Sequence, residues 1–186
     1  LLDKLKLESV SVVGNSFGGS IALALATRYP ERVRQIVLMG AVGISFRLTE
    51  GLDKVWGYEP SPAAMRKLLE IFAFNQEIVT DELVDMRYRA SIRDDVQQRF
   101  AHMFPAPRQR WIDSLSIAEN ELRRLPHETL IIHGRDDLVI PFAVSERLNN
   151  LIPNSRIAAF DRCGHWVQIE YADAFAETLR GFLLSS

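Results

Sequence analysis

A doubly wound, mostly parallel α/β sheet with an all-helical cap inserted between two strands is the fold class this sequence predicts. Three observations predict it. Between Val10 and Met39 an apolar run, a helix-forming run and a second apolar run follow one another with short joints, which is a βαβ unit. From Gly40 to Pro126 the strand-like runs vanish and helical periodicity takes over. Strand-like runs then return at Thr129–His133 and Arg156–Phe160, each followed by a helical pattern.

Composition narrows the field before any motif is read. At 186 residues, 47% hydrophobic and 25% charged, the chain reads as an ordinary soluble globular protein with room for a sizeable core. A net charge of −2 gives no bulk argument for nucleic acid or an anionic membrane as partner. The single cysteine, Cys163, excludes an intrachain disulfide framework and a cysteine-only metal site, and suits a reducing cytoplasm. No apolar run reaches the roughly 18 residues of a membrane span, and no signal-peptide pattern opens the sequence. A cytoplasmic location is therefore expected.

Taken in order, Leu1–Leu7 reads as the end of an amphipathic helix, with apolar residues at 1, 2, 5 and 7. Val10-Ser11-Val12-Val13 is β-branched and apolar, and reads as a buried parallel strand. Gly19 to Ala26 is Ala/Leu-rich and helical, and Pro30 stops it. Val33–Met39 is the second strand. Within the cap, Ser61-Pro62 opens a helix, with a capping serine and a proline at the first helical position, and Met65, Leu68, Leu69 and Phe72 share one face. Thr80 opens another, with Leu83, Met86, Arg87 and Ala90 on one side. Asp94–Met103 is a third, broken by Phe104-Pro105-Ala106-Pro107, and a short one covers Arg108–Leu115. Phe142–Leu151 reads as a helix behind the third strand. Tyr171–Leu184 reads as an amphipathic helix that buries Phe175, Leu179, Phe182 and Leu183. The organisation is thus core (1–42), cap (43–126) and core (127–186). A doubly wound sheet carries strands on both sides of its first apolar strand. The expectation is that the N-terminal part of a larger protein is absent.

The chemistry centres on Gly14-Asn15-Ser16-Phe17-Gly18, at the turn from the first strand into its helix. Gly-x-Ser-x-Gly at a strand-to-helix turn is a nucleophile elbow: the serine projects above the sheet edge, and the amide of Phe17 at the helix N-terminus can receive an oxyanion. A serine needs a base to take its proton and an acid to orient that base. The two later strands end in His133-Gly134-Arg135-Asp136-Asp137 and Asp161-Arg162-Cys163-Gly164-His165-Trp166, at the same sheet edge as Ser16. The order serine, acid, histidine at three strand ends assigns Ser16, Asp137 and His165. Asp137 is favoured over Asp136 because it fits Gly-x-x-Asp with a proline four residues on. His102 and His127 read as surface histidines, His133 as a buried residue satisfying backbone groups, and Cys163 as a small buried hydrophobe. No ligand set or phosphate loop suggests a metal or nucleotide cofactor.

Beyond these motifs, Ile71-Phe72-Ala73-Phe74, Val55–Tyr58, Thr80–Tyr88, Met103–Trp111 and Arg162-Cys163-Gly164-His165-Trp166 resemble the α/β-hydrolases that cleave meta-ring-fission products. The 2-hydroxymuconate semialdehyde hydrolase branch is the most similar. The resemblance covers essentially the whole chain, and the family's N-terminal third, with the loop supplying a second oxyanion donor, has no counterpart. It implies an α/β-hydrolase fold and hydrolysis of a C–C bond in a 2-hydroxy-6-oxo-2,4-dienoate. The products would be 2-hydroxypenta-2,4-dienoate and a small carboxylic acid, with no cofactor. It also implies that Arg87 holds the substrate carboxylate, that Asn15, Phe72 and Trp166 line the dienoate pocket, and that the full-length protein is a homo-oligomer. Two other readings stay open here: an ester or lactone hydrolase of the same fold, and an inactive fragment. A dehalogenase reading fails, because those enzymes carry an aspartate where Ser16 stands.

Overall fold

The computed structural model describes residues 1–93 and 96–185. Its four strands, β1 (Val10–Asn15), β2 (Val33–Met39), β3 (Glu128–Gly134) and β4 (Ser155–Phe160), form one sheet in that order. All neighbours are parallel, in the registers Val12–Ile36, Val37–Leu130 and Ile131–Ile157. Parallel neighbours require crossovers. They are α2 (Phe17–Arg28) between β1 and β2, the helical insertion between β2 and β3, and α9 (Phe142–Leu151) between β3 and β4.

Alternation along the strands feeds two cores, because successive side chains leave opposite faces of a sheet. Ile36, Leu38 and Ile131 pack with Ala22, Leu23 and Ala26 of α2 and with Val144 and Leu148 of α9. Val37, Met39, Leu130 and Ile132 pack on the other face, against Phe182 of α11 (Ala172–Leu184) and Val167 of the short α10 (Val167–Glu170). Of the face expected to be buried on α11, Phe182 is fully covered, and Phe175, Leu179 and Leu183 are partly covered.

Two expectations at the N-terminus are corrected. The first helix, α1 (Leu2–Leu5), buries no residue, and Leu5 and Leu7 are exposed, so its apolar side faces solvent. β1 is an edge strand with only partial burial, and Val13 is 48% exposed, because no described residue covers that side.

The insertion carries α3 (Glu50–Trp56), α4 (Pro62–Phe72), α5 (Asp81–Ser91), α6 (Val96–Met103), α7 (Gln109–Ser114) and α8 (Glu119–Leu122). The caps read from sequence are formed: the Ser61 hydroxyl accepts from the Ala64 amide at 3.0 Å, and that of Thr80 from Leu83 at 3.2 Å. The expected start of the third cap helix, at Asp94, lies outside the described residues. On α5 the buried residue is Val84, and Met86 and Arg87 stand exposed. The helix packs on α4 through Val84, with Leu83 and Tyr88 partly buried beside it, so of the side read from the sequence only Leu83 is covered. The insertion divides its apolar residues. Ile44, Leu52, Trp56, Phe104, Ile112 and Leu122 join the sheet's own core. Tyr58, Met65, Leu68, Leu69, Val79 and Val84 form a second cluster, which also takes in Trp166 from the loop after β4.

Candidate active site

β1 ends at Asn15, and Ser16 caps α2 with φ 53° and ψ −118°, a left-handed conformation that costs a non-glycine residue energy. Backbone bonds hold it there. The Ser16 amide donates to the Met39 carbonyl at 2.8 Å, and its carbonyl accepts from Gly19 at 3.0 Å and Val42 at 3.1 Å. The turn is so tight that a Cβ on Gly14 would lie 2.4 Å from the Gly18 carbonyl oxygen, so only glycine fits. The Phe17 amide, in the first helical turn, is one of the N–H groups that a helix cannot pair internally.

β3 and β4 end at the same edge of the sheet. Asp137 and His165, in the loops after them, are 8% and 6% exposed, and His165 Nδ1 lies 2.6 Å from Asp137 Oδ2. Asp137 Oδ1 accepts from the amides of Val139 at 2.7 Å and Ile140 at 3.0 Å. Asp136 faces outward and contributes only its amide, to the Cys163 carbonyl. Burial alone would push the Asp137 carboxyl up. The attraction of His165 and the hydrogen bonds of His133 and His165 outweigh it and hold the group well below the usual carboxylate range. Gly40, directly after Met39, lies between elbow and pair: a Cβ there would sit 3.1 Å from His165 Nδ1 and 3.3 Å from Asp137 Oδ2. Among the described residues the Ser16 hydroxyl has no hydrogen-bond partner. Contacts of this kind commonly tighten only with substrate.

The cap reaches the histidine through a ladder of rings. Phe72 stacks on His165 (centroids 5.7 Å apart, planes 24°) and on Trp166 (5.1 Å, 16°), and the Arg87 guanidinium lies over the Trp166 ring at 5.4 Å. The Phe72 carbonyl accepts from the His165 amide at 2.7 Å. Below this, Glu170 pins cap to core. One carboxylate oxygen accepts from Phe74 and Asn75 at 2.9 and 2.8 Å, and the other from Gly164 at 2.8 Å. Arg87 has no acidic partner among the described residues, whereas Arg108 is paired with Asp53 at 3.0 Å and Arg110 lies over Trp111. Asn15 is exposed at the end of β1. Phe17 turns its ring edge-on to Phe104 of the cap, 5.7 Å away.

Three residues depart from, or add to, what their sequence patterns imply, His133 and Cys163 beside the site and His127 at the opposite edge of the sheet, before β3. His133 bonds the Asp137 carboxylate as well as a backbone carbonyl, which local pattern did not reveal. His127 is buried, with Nε2 on the Pro30 carbonyl at 2.9 Å, rather than on the surface. Cys163 is fully buried, and its thiol is pushed up to about 12 by burial and by Glu170. No helix among the described residues is long and apolar enough to cross a membrane.

The sequence profile described as alpha/beta hydrolase fold matches residues 1–172. The chain is 56% identical over 183 residues to a 2-hydroxy-6-oxo-2,4-heptadienoate hydrolase of Pseudomonas putida, covering 98% of this chain and 66% of that protein. It is 57% identical to a 2-hydroxymuconate semialdehyde hydrolase of Pseudomonas sp. strain CF600, covering 98% and 65%. Among solved structures, it superposes with TM-score 0.96 and 52% identity on a meta-cleavage product hydrolase (CumD) from Pseudomonas fluorescens IP01, a serine-to-alanine mutant complexed with acetates. That match covers 98% of this chain and 67% of the other. The chain thus spans 65–66% of the length of these curated relatives.

Proposed function

The chain belongs to the alpha/beta hydrolase fold family, and from that membership we propose that it hydrolyses a C–C bond in 2-hydroxy-6-oxo-2,4-dienoates, 2-hydroxymuconate semialdehyde or 6-alkyl analogues. The observation that carries the reading is the ladder from the buried Asp137–His165 pair through Phe72 and Trp166 to Arg87, a cation without an acidic partner among the described residues. It supplies a base at one end and, at the other, a guanidinium suited to a carboxylate. Flat rings between them suit a conjugated chain.

In this reading the dienol first ketonises, its hydroxyl proton moving to C5 by way of His165, so that the later leaving group can depart as a stabilised dienolate. Ser16 Oγ then attacks the C6 carbonyl while His165 takes its proton. The Phe17 amide receives the oxyanion. Collapse breaks the C5–C6 bond, the dienolate is protonated, and water releases the acid from Ser16. Asp137 keeps the hydrogen on His165 Nδ1, leaving Nε2 as the base. Asn15 lines the pocket at the elbow. The division into core (1–42), cap (43–126) and core (127–186), a cytoplasmic setting and assembly into homo-oligomers belong to the same proposal.

The test compares a carboxylated dienoate with a neutral ester. The dienoate should be consumed, and Arg87→Ala should lower its kcat/KM by about 10- to 100-fold, the range for one lost charged hydrogen bond. The ester should be largely indifferent to that change. A protein that turns over the ester and leaves the dienoate untouched is an esterase, and the proposal fails.

A further inference from the structure

The Asp137 carboxylate is held by two histidines. His133, on β3, is 0% exposed, with Nε2 2.9 Å from Asp137 Oδ2 and 3.1 Å from the Ile140 carbonyl. Both partners only accept, so Nε2 carries the hydrogen and donates. Nδ1 faces the hydroxyl of Ser145, equally buried in the first half of α9, at 2.6 Å. That hydroxyl donates to the free lone pair and fixes the ring's tautomer.

We propose that His133, oriented by Ser145, is a positioning residue for the candidate acid. It supplies the last donor to Asp137, so that the carboxylate can neither turn nor take up a proton, and His165 is kept in the form whose base is Nε2. The inference rests on the reading of Asp137 and His165 given above. A carboxylate has about four lone-pair sites. Here Oδ1 takes the Val139 and Ile140 amides and Oδ2 takes the two imidazoles, so every site is filled. The ionisable groups around it are few. His133 and His165 touch it, the Cys163 thiol is held protonated nearby, and the Asp136 side chain points to solvent. Without the His133 donor, Oδ2 would concentrate its charge on His165 alone. The imidazolium would then be held more firmly and released at higher pH.

The experiment follows covalent capture of Ser16 by a fluorophosphonate, in which Oγ displaces fluoride from phosphorus as His165 takes the proton. It needs no knowledge of the natural substrate. His133→Leu should slow capture by about 10- to 100-fold. It should also move the acid limb of the rate–pH profile up by about half a pH unit or more. His133→Gln, which can return an N–H to Asp137, should recover most of the rate and the original limb. If the leucine variant does not fold, Ser145→Ala carries the same expectations in weaker form. A folded leucine variant with wild-type rate and limb overturns the proposal. So do leucine and glutamine variants that are equally slow with an unmoved limb, which is the mark of packing alone, and so does a wild type that is not captured. A wild type that is captured but leaves the dienoate intact refutes the proposed substrate and leaves this inference standing.

Discussion

Replacing Gly40 by alanine tests how tightly the backbone directly after β2 confines the candidate acid–base pair. Gly40 has φ +46°, and an added Cβ would stand 3.1 Å from both Cε1 and Nδ1 of His165. The left-handed conformation costs an alanine about 1–2 kcal/mol. In a chain of this size each kcal/mol lowers Tm by about 2–4 °C, so a fall of about 2–8 °C is expected. The contact adds a second effect: the imidazole must give by a few tenths of an ångström, and its 2.6 Å bond to Asp137 leaves little slack. Because a misplacement of about 1 Å can cost about 10²-fold, the displacement should lower the rate by roughly three- to tenfold. Gly181→Ala serves as the control. It lies within α11, where the new Cβ meets nothing within 4 Å, and should raise stability by about 0.5–1 kcal/mol with no change in rate. Rates come from fluorophosphonate capture and from loss of dienoate absorbance, and Tm from circular dichroism. A Gly40→Ala protein that loses stability but keeps its full rate would show that the imidazole is not confined from this side, and the reasoning would be wrong.

Two further outcomes follow from the same geometry. Glu170→Gln turns an amide nitrogen toward backbone donors that now meet a carboxylate, leaving at least one N–H unpaired. Tm should fall by about 2–12 °C, from roughly 1–3 kcal/mol, and protease sensitivity should rise at the 72–76 segment first. For Asp137 the folded pKa lies below the unfolded value, so its ionised form contributes stability that is whole above about pH 4 and is lost as pH falls further. Urea titrations should therefore find wild type more stable than Asp137→Asn by a constant margin near neutrality and a shrinking one below about pH 4. A margin constant to pH 3 would contradict the assignment of those donors to a charged carboxylate.

Much of the frame was legible in the sequence, because strands buried on both faces announce themselves as apolar runs and helices with side-chain caps announce their starts. Val33–Met39 and Phe142–Leu151 stand where their patterns place them. Helix α3 was not legible. Thr49 caps it, accepting from Leu52 at 3.0 Å, but Gly51 in its first turn weakens the helical signal. That glycine is there for a distant reason: a Cβ would lie 2.1 Å from the Leu138 carbonyl oxygen in the acid loop. Close approaches between segments far apart in sequence leave no local periodicity. His133 was opaque for the same reason, since its meaning depends on Ser145 and Asp137 converging on it. The partial burial of β1 escapes its sequence because an apolar run reports what a strand could bury, whereas its neighbours decide what it does bury.

The order of strands along the chain is also their order in space, which has a consequence for how the molecule assembles. Val10 pairs with Val33 and Thr129 with Ser155 across short crossovers, so β1–α2–β2 and β3–α9–β4 can each form locally. Gln35 and Glu128 meet only across the whole cap, with about four times as much intervening chain, which by the logarithmic law adds only about 1 kcal/mol of closure entropy. At equilibrium the insertion is therefore a light burden. In time it is a heavier one, because non-local pairing slows folding far more than it lowers stability. The seam between Val37 and Leu130 is where two quickly formed halves wait for each other, and the candidate catalytic groups come from both halves. The serine's elbow and the acid–base loops therefore first share one edge when that seam zips.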